Sequence, residues 1–201
     1  MKVRRLGLVA YEPTWRAMQA FNAARDEATD DQLWLVEHPS VFTLGLAGRP
    51  EHVLDAGDIP VVATDRGGQV TYHGPGQAIA YTLLDLRRLR IGARELVRRL
   101  EHAVIETLSS YGITGERRAG MPGVYVRDAK IAAIGLRIAR GASYHGVALN
   151  SEVDLAPFSR IDPCGYRGLA STRLADEGVR DSISNVHARL AASLGKCLTP
   201  P

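Results

Sequence analysis

The chain has 201 residues, 45% hydrophobic and 23% charged, which suits one globular domain with a sizeable core and excludes disordered and fibrous classes. No apolar run approaches the roughly 20 residues of a membrane-spanning helix, and two cysteines, Cys164 and Cys197, make no disulfide framework. The net charge of +3 favours acidic partners but is too small to argue for nucleic acid.

The amino terminus places positive charge before LGLVA, too short an apolar stretch for a secretory signal. It reads as a first strand of a cytoplasmic protein. Trp15, Met18 and Phe21 repeat at helical spacing and predict a helix over 12–28, with Pro13 tolerated in its first turn. Strands are expected at 33–38 and 41–45 around the turn pair Pro39-Ser40, and at 59–65 running into a glycine-rich loop at 66–76. The apolar segment 77–86 reads as a buried strand. Val97, Leu100, Val104, Leu108 and Tyr111 define a helix over 93–111 that Gly112 stops. Strands follow at 123–126, 130–138 and 143–150, with a hairpin tip at Asp128-Ala129 and a turn at Gly141. Asp162-Pro163-Cys164-Gly165 breaks all periodicity, and a last helix spans 184–194 before a frayed tail at 196–201 that contains Cys197. Such short connections predict an α+β domain, 1–201, with a mixed, largely antiparallel sheet flanked by helices.

Chemistry concentrates in three places. Cys164 lies between Pro163, which fixes one backbone angle, and Gly165, which frees another. An inert buried cysteine belongs in an apolar strand or helix, whereas this one is flanked by Asp162 and Arg167. At a reference pKa of about 8.5, only ~3% of the thiol would be ionised at pH 7, so a nucleophile here needs a cation beside it. Lys130, opening the otherwise apolar KIAAIGLRI, is the candidate. Desolvated beside a thiol it would stabilise the thiolate and shuttle protons; the alternative is a strand-end lysine whose ammonium reaches water.

The third place is DRGGQVTYHGPGQ at 65–77. Gly67 and Gly68 allow close approach of backbone N–H groups to a ligand, with Arg66 and His73 flanking the turn. It matches neither phosphate-loop pattern and reads as a rigid wall for a substrate chain. His38, His52, His102 and His187 lack metal-ligand spacing and read as surface or core residues. His145 stands apart because Gly146 follows it within a strand. No metal is expected.

HPSVFTLG, RGGQVTYHGPGQ, KIAAIGLRI, YHGVALN and DLAPFSRIDPCG, in that order over roughly 11–170, resemble the octanoyltransferases of the lipoate pathway. The resemblance implies a biotin/lipoate ligase-like fold and a Cys164 acyl-thioester with Lys130 lowering the thiol pKa. It also implies a substrate site lined by Arg66, Gly67, Gly68, Gln69, Val70, Thr71, Tyr72 and His73, by Ala133, Ile134 and Gly135, and by Gly146, Val147 and Ala148. The implied donor is octanoyl-acyl carrier protein. The implied acceptors are lipoyl domains of 2-oxoacid dehydrogenase E2 subunits and the glycine cleavage H protein, with no ATP, metal or other cofactor, no membrane and a monomeric enzyme. Leu44 and Leu46 depart from the glutamines common in that family. Ile134, Ile138 and Val147 are expected as pocket material for the acyl chain. Arg87, Arg88, Arg90, Arg94, Arg98 and Arg99 form either a docking surface for an acidic carrier or a solvated face balanced by Asp85, Glu95 and Glu101. The rival readings are an ATP-dependent lipoate or biotin ligase on the same fold, which needs no cysteine, and a non-catalytic carrier-binding module.

Overall fold

The computed structural model describes residues 1–162 and 169–199, so Cys164 and its neighbours 163–168 lie outside the described residues. Ten strands and four helices are present among them: β1 Lys2–Leu8, α1 Tyr11–Ala24, β2 Gln32–Glu37, β3 Val41–Leu44, β4 Val61–Ala63, β5 Val70–His73, β6 Gln77–Asp85, α2 Leu86–Leu89, α3 Ala93–Ser109, β7 Glu116–Arg118, β8 Met121–Val126, β9 Ala129–Ala139, β10 Ala142–Asn150 and α4 Ile183–Leu198. Seven strands form one sheet in the order β1-β2-β6-β10-β9-β8-β7, and three form a second, β4-β3-β5. Only β1–β2 and β3–β4 pair in parallel, which is the mixed, largely antiparallel arrangement expected.

Period-two alternation gives the large sheet two faces. Leu84, Ala80, Ala78, Val147, Leu149 and Ala132 meet Leu96, Leu100 and Val104 of α3 and Val186, Leu190 and Leu194 of α4 in the main core. On the other face Trp34, Ile79, Tyr81, Leu83, Tyr144 and Ala148 pack with Met18 of α1. The small sheet carries its own cluster of Phe42, Val70, Tyr72, Val153 and Ile161. The loop before β5 ties it to β9, where the Gly67 N–H donates to the Leu136 carbonyl at 2.8 Å.

The structure departs from the sequence reading where local pattern and tertiary contact compete. Helix α1 ends at Ala24 instead of 28 because Arg25 turns extended. Its guanidinium is then buried on the Leu83 carbonyl at 2.7 Å and on Asp31 at 2.9 Å. Strand β5 occupies the centre of the segment read as loop. Strand β7, all charged, and the one-turn α2, capped by Asp85 on the Arg87 and Arg88 N–H groups, were not foreseen. The β8–β9 turn falls at Arg127-Asp128, one residue early, with Arg127 at φ 52°. Helix α4 continues to a buried Leu198, so Cys197 is helical and packs on the main core instead of fraying.

Gly146 leaves no room for a side chain between β10 and β6, since a Cβ there would overlap the Ala80 carbonyl oxygen. Gly146→Ala is expected to cost about 1–3 kcal/mol by overpacking, read as a lower midpoint in urea denaturation with an unchanged m-value.

Candidate active site

One cavity of about 130 Å³ lies between the two sheets. Its floor is a ladder of cross-strand rungs on the α1-facing side of the large sheet: Gln77 with Asn150, then Ile79 with Ala148 and Ala133, then Tyr81 with Gly146 and Gly135. The small residues keep the floor low and Ile79 makes it apolar. Its roof is the segment from Gly68 to His73, with Gln69, Val70 and Thr71 between. Arg66, Gly68, Gln69, Val70, Thr71, His73, Ala133, Ile134, Gly135, Gly146, Val147 and Ala148 therefore line a single cavity together with Lys130. Gly67 and Tyr72 do not. Gly67 faces Leu136, and Tyr72 turns into the small-sheet core, where its hydroxyl meets Ser40 Oγ at 2.9 Å. Ile134 and Val147 belong to an intervening rung and pack with Ile138 in the main core, so Ile138 is not pocket material. Leu44 and Leu46 lie outside the lining; Leu44 packs on the small-sheet core and Leu46 is exposed.

Lys130 sits at the Asn150 end. Its stem crosses Gly123, where a Cβ would lie 3.2 Å from Lys130 Cε, and its ammonium donates to the Pro122 carbonyl at 3.2 Å over the Tyr125 ring. Its backbone pairs with the segment following residues 163–168: Lys130 N–H donates to Ala170 O at 2.8 Å and Thr172 N–H to Lys130 O at 3.0 Å. Leu169 and Ser171 line the cavity.

A buried polar chain backs this end. Asn150 Nδ2 donates to Thr172 O at 2.9 Å, and Gln77 Nε2 donates to Asn150 Oδ1 at 2.9 Å. The Gln77 carbonyl oxygen must then accept from His73 Nδ1–H at 2.7 Å, which leaves the His73 Nε2 lone pair open. Burial drives the His73 pKa down to about 3 and the His38 pKa down to about 4. His38 donates from Nδ1 to Val9 O at 2.6 Å and so accepts the Tyr81 hydroxyl on Nε2 at 2.7 Å. Tyr11 stacks on His73 at 5.7 Å, and burial pushes its phenol up to about 12.

At the opposite end Asp65 gathers Trp15 Nε1 at 2.8 Å, Gln19 Nε2 at 3.0 Å, the Tyr144 hydroxyl and His145 Nε2 at 3.1 Å. Burial opposes its ionisation, but the hydrogen bonds from these four groups outweigh it and hold the carboxyl well below the usual range. His145 has φ 63°, which turns its ring onto the face of its neighbour Tyr144, a direction that strand alternation denies it. Sequence reasoning missed Tyr11, His38, Asp65, Tyr81 and Asn150. Their partners lie 22 to 80 positions away, and no local spacing marks them.

The arginine cluster lies elsewhere. It begins at the Asp85 end of β6, eight residues or about 27 Å from Gln77. There Arg88 pairs with Asp31 and Arg98 and Arg99 with Glu95, while Glu101 pairs with Arg117. Among the described residues, His102, Glu106 and Cys197 are the group whose ligand atoms converge within 4.8 Å. They lie on α3 and α4, on the other side of the large sheet. No helix among the described residues is long and apolar enough to cross a membrane.

The architecture defines a class. Over 98% of this chain and 86% of its own length, lipoate-protein ligase A crystallised with ATP superposes with a TM-score of 0.78 at 17% identity. Biotin protein ligase from Aquifex aeolicus gives 0.59 at 12% identity, over 98% and 68%. The fold is that of biotin and lipoate ligases. Residues 10–195 match the lipoyl protein ligase A/B catalytic domain. The octanoyltransferase of Aromatoleum aromaticum is 57% identical over 198 residues, 98% of this chain and 86% of that one. That of Laribacter hongkongensis is 56% identical over 201 residues, 100% and 97%. The chain belongs to the lipoyl protein ligase A/B family, in its octanoyltransferase branch of acyltransferases.

The buried histidines set an acid limit. His38 and His73 have folded pKa values below the reference 6.5, so the unfolded chain binds protons first as pH falls. Their contribution is complete above pH 6.5 and is lost as pH drops toward 4. Between pH 7 and 5 His38 alone should cost the folded state roughly 2 kcal/mol. Urea titrations at the two pH values should show this loss in the parent and a shallower one in His38→Gln.

Proposed function

We propose that the protein transfers an octanoyl group from octanoyl-acyl carrier protein, through a thioester on Cys164, to the target lysine of a lipoyl domain. The observation that carries the reading is the placement of Lys130. It stands at one end of a narrow cavity floored by Ile79, Ala148 and Ala133, hydrogen-bonded through its backbone to the segment that follows the Cys164 loop. Leu169, five residues after Cys164, lines that cavity. The curated relatives of similar length bear the name octanoyltransferase, which favours octanoyl as the group carried. Burying its alkyl chain contributes about 5 kcal/mol at ~0.8 per methylene.

In the first half-reaction the Cys164 thiolate attacks the donor carbonyl. A new C–S bond forms, the C–S bond to phosphopantetheine breaks, and the departing thiolate takes a proton from the Lys130 ammonium. In the second, the neutral ε-amine of the acceptor lysine attacks the thioester carbonyl. The amide C–N bond forms, the bond to Cys164 breaks, and the proton released by the amine returns to Lys130. An amide is more stable than a thioester, so the reaction runs without ATP, and no metal takes part. Acceptors are the lipoyl domains of 2-oxoacid dehydrogenase E2 subunits and the glycine cleavage H protein, and the enzyme works as a cytoplasmic monomer. Arg87, Arg88 and Arg90, which follow the Asp85 end of β6, lie far from Lys130 and have no part in this reading.

Intact mass after incubation with octanoyl-acyl carrier protein should show one added octanoyl group, removed by hydroxylamine and absent as a thioester in Cys164→Ser. Lys130→Ala should slow alkylation of Cys164 at neutral pH by an order of magnitude, as expected for loss of a neighbouring cation. Modification strictly dependent on ATP and free octanoate would instead make the protein a ligase.

A further inference from the structure

We propose that the cavity measures the acyl chain, that the stem of Arg66 lying on Gly135 is its end-stop, and that Thr43 fixes the stop. The inference rests on the acyl-transfer reading above and adds what limits the length of the chain.

The lining stops abruptly. It includes the rung Tyr81, Gly146 and Gly135 and the adjacent His145, but not the next rung, Leu83, Tyr144 and Arg137. At that boundary roof and floor touch: a methyl group on Gly135 would lie 3.0 Å from Arg66 Cδ and 3.8 Å from Cγ. Arg66 is itself held. Its Nε and Nη2 donate to Thr43 Oγ1 at 3.1 and 2.8 Å, Nη2 donates to Thr43 O at 2.6 Å, and Nη1 donates to Gly67 O at 3.0 Å. Arg66 and Thr43 are both buried, at 6% and 0% exposure, so the stop cannot swing into water. From the Gln77–Asn150 rung to the Tyr81–Gly146 rung is four residues of strand, about 14 Å. Subtracting the radii of the atoms at each end leaves about 10 Å, and an extended eight-carbon chain of ~1.5 Å bonds spans roughly 9 Å. A chain with its carbonyl beside Lys130 therefore ends against Arg66 at about eight carbons.

Two substitutions move the limit in opposite directions. Ala148→Val fills the middle rung between Ile79 and Ala133 and shortens the usable length. Thr43→Val keeps the shape but removes the acceptor of two of the guanidinium hydrogen bonds, Nε and Nη2 to Oγ1, and so loosens the stop. The full-length protein would be assayed with carrier-protein thioesters of even chains from butanoyl to dodecanoyl, comparing kcat/KM across lengths and checking folding by thermal melting. Ala148→Val should lose octanoyl relative to hexanoyl by 10–200-fold, the range for one misfitted methylene in an apolar pocket. Thr43→Val should raise decanoyl relative to octanoyl at least tenfold, chiefly through KM. Equal scaling of all lengths in a folded Ala148→Val protein overturns the proposal, with or without a folded Thr43→Val. A parent protein that transfers no chain of any length overturns the acyl-transfer reading itself, a different result from a flat length profile.

Discussion

The contact of Arg66 with Gly135 sets the spacing between the two sheets, and the site depends on that spacing. A guanidinium buried between a small sheet and a large one is costly unless its donors are met, and here Thr43 and Gly67 meet them. The glycine opposite lets the aliphatic stem settle onto β9, and Gly67 completes the joint by hydrogen-bonding the Leu136 carbonyl. Beyond Ala132, β9 has no ladder to β8, so this loop takes the place of a strand along part of that edge. One joint thus closes the cavity, satisfies a free sheet edge and holds the roof above the floor.

The same positive charge bears on the histidines. Arg66 lowers the pKa of both His73 and His145 on top of their desolvation, and the hydrogen-bond chains leave each ring a single tautomer. The two imidazoles in the cavity walls, His73 and His145, therefore remain uncharged at neutral pH. That is compatible with an alkyl chain, whereas an imidazolium facing hydrocarbon would not be.

How much of this was legible follows from the range of the signals. The helix α3, the strands β6, β9 and β10 and the sheet class were carried by local periodicity, and the cavity segments by glycine placement. Strand β5 was hidden because Gly67-Gly68 and Gly74-Pro75-Gly76 bracket only four residues of β pattern, and turn chemistry dominates so short a window. Ile134, Ile138 and Val147 were read as cavity wall for being apolar. Ile134 and Val147 do line the cavity and Ile138 does not, but period two sends all three side chains toward the main core, and the clearer mark of the slot was the run of small residues Ala133, Gly135, Gly146 and Ala148. His145 defeats the same rule in reverse, since its positive φ has no sequence signal when the residue is not glycine. His38 and Asp65 act through partners far along the chain, which no spacing reveals.

The two ends of the cavity are built from different parts of the molecule, and this has a consequence for how such a site tolerates change. The Lys130 end is fastened to Ala170 and Thr172, and through Asn150 and Gln77 to His73. On the other side of residues 163–168, Asp162 N–H donates to His52 O and Ile161 bridges Val53. The far end belongs to Arg66, Thr43 and Asp65, with Arg66 held on Thr43 and Gly67. Under the proposed reading, bulk added or removed at the far end acts on the methyl terminus of a chain whose carbonyl lies where the 169–172 segment and Lys130 meet. Under that reading length and chemistry sit about 14 Å apart along the strands β6, β9 and β10, whose rungs hold the distance between them.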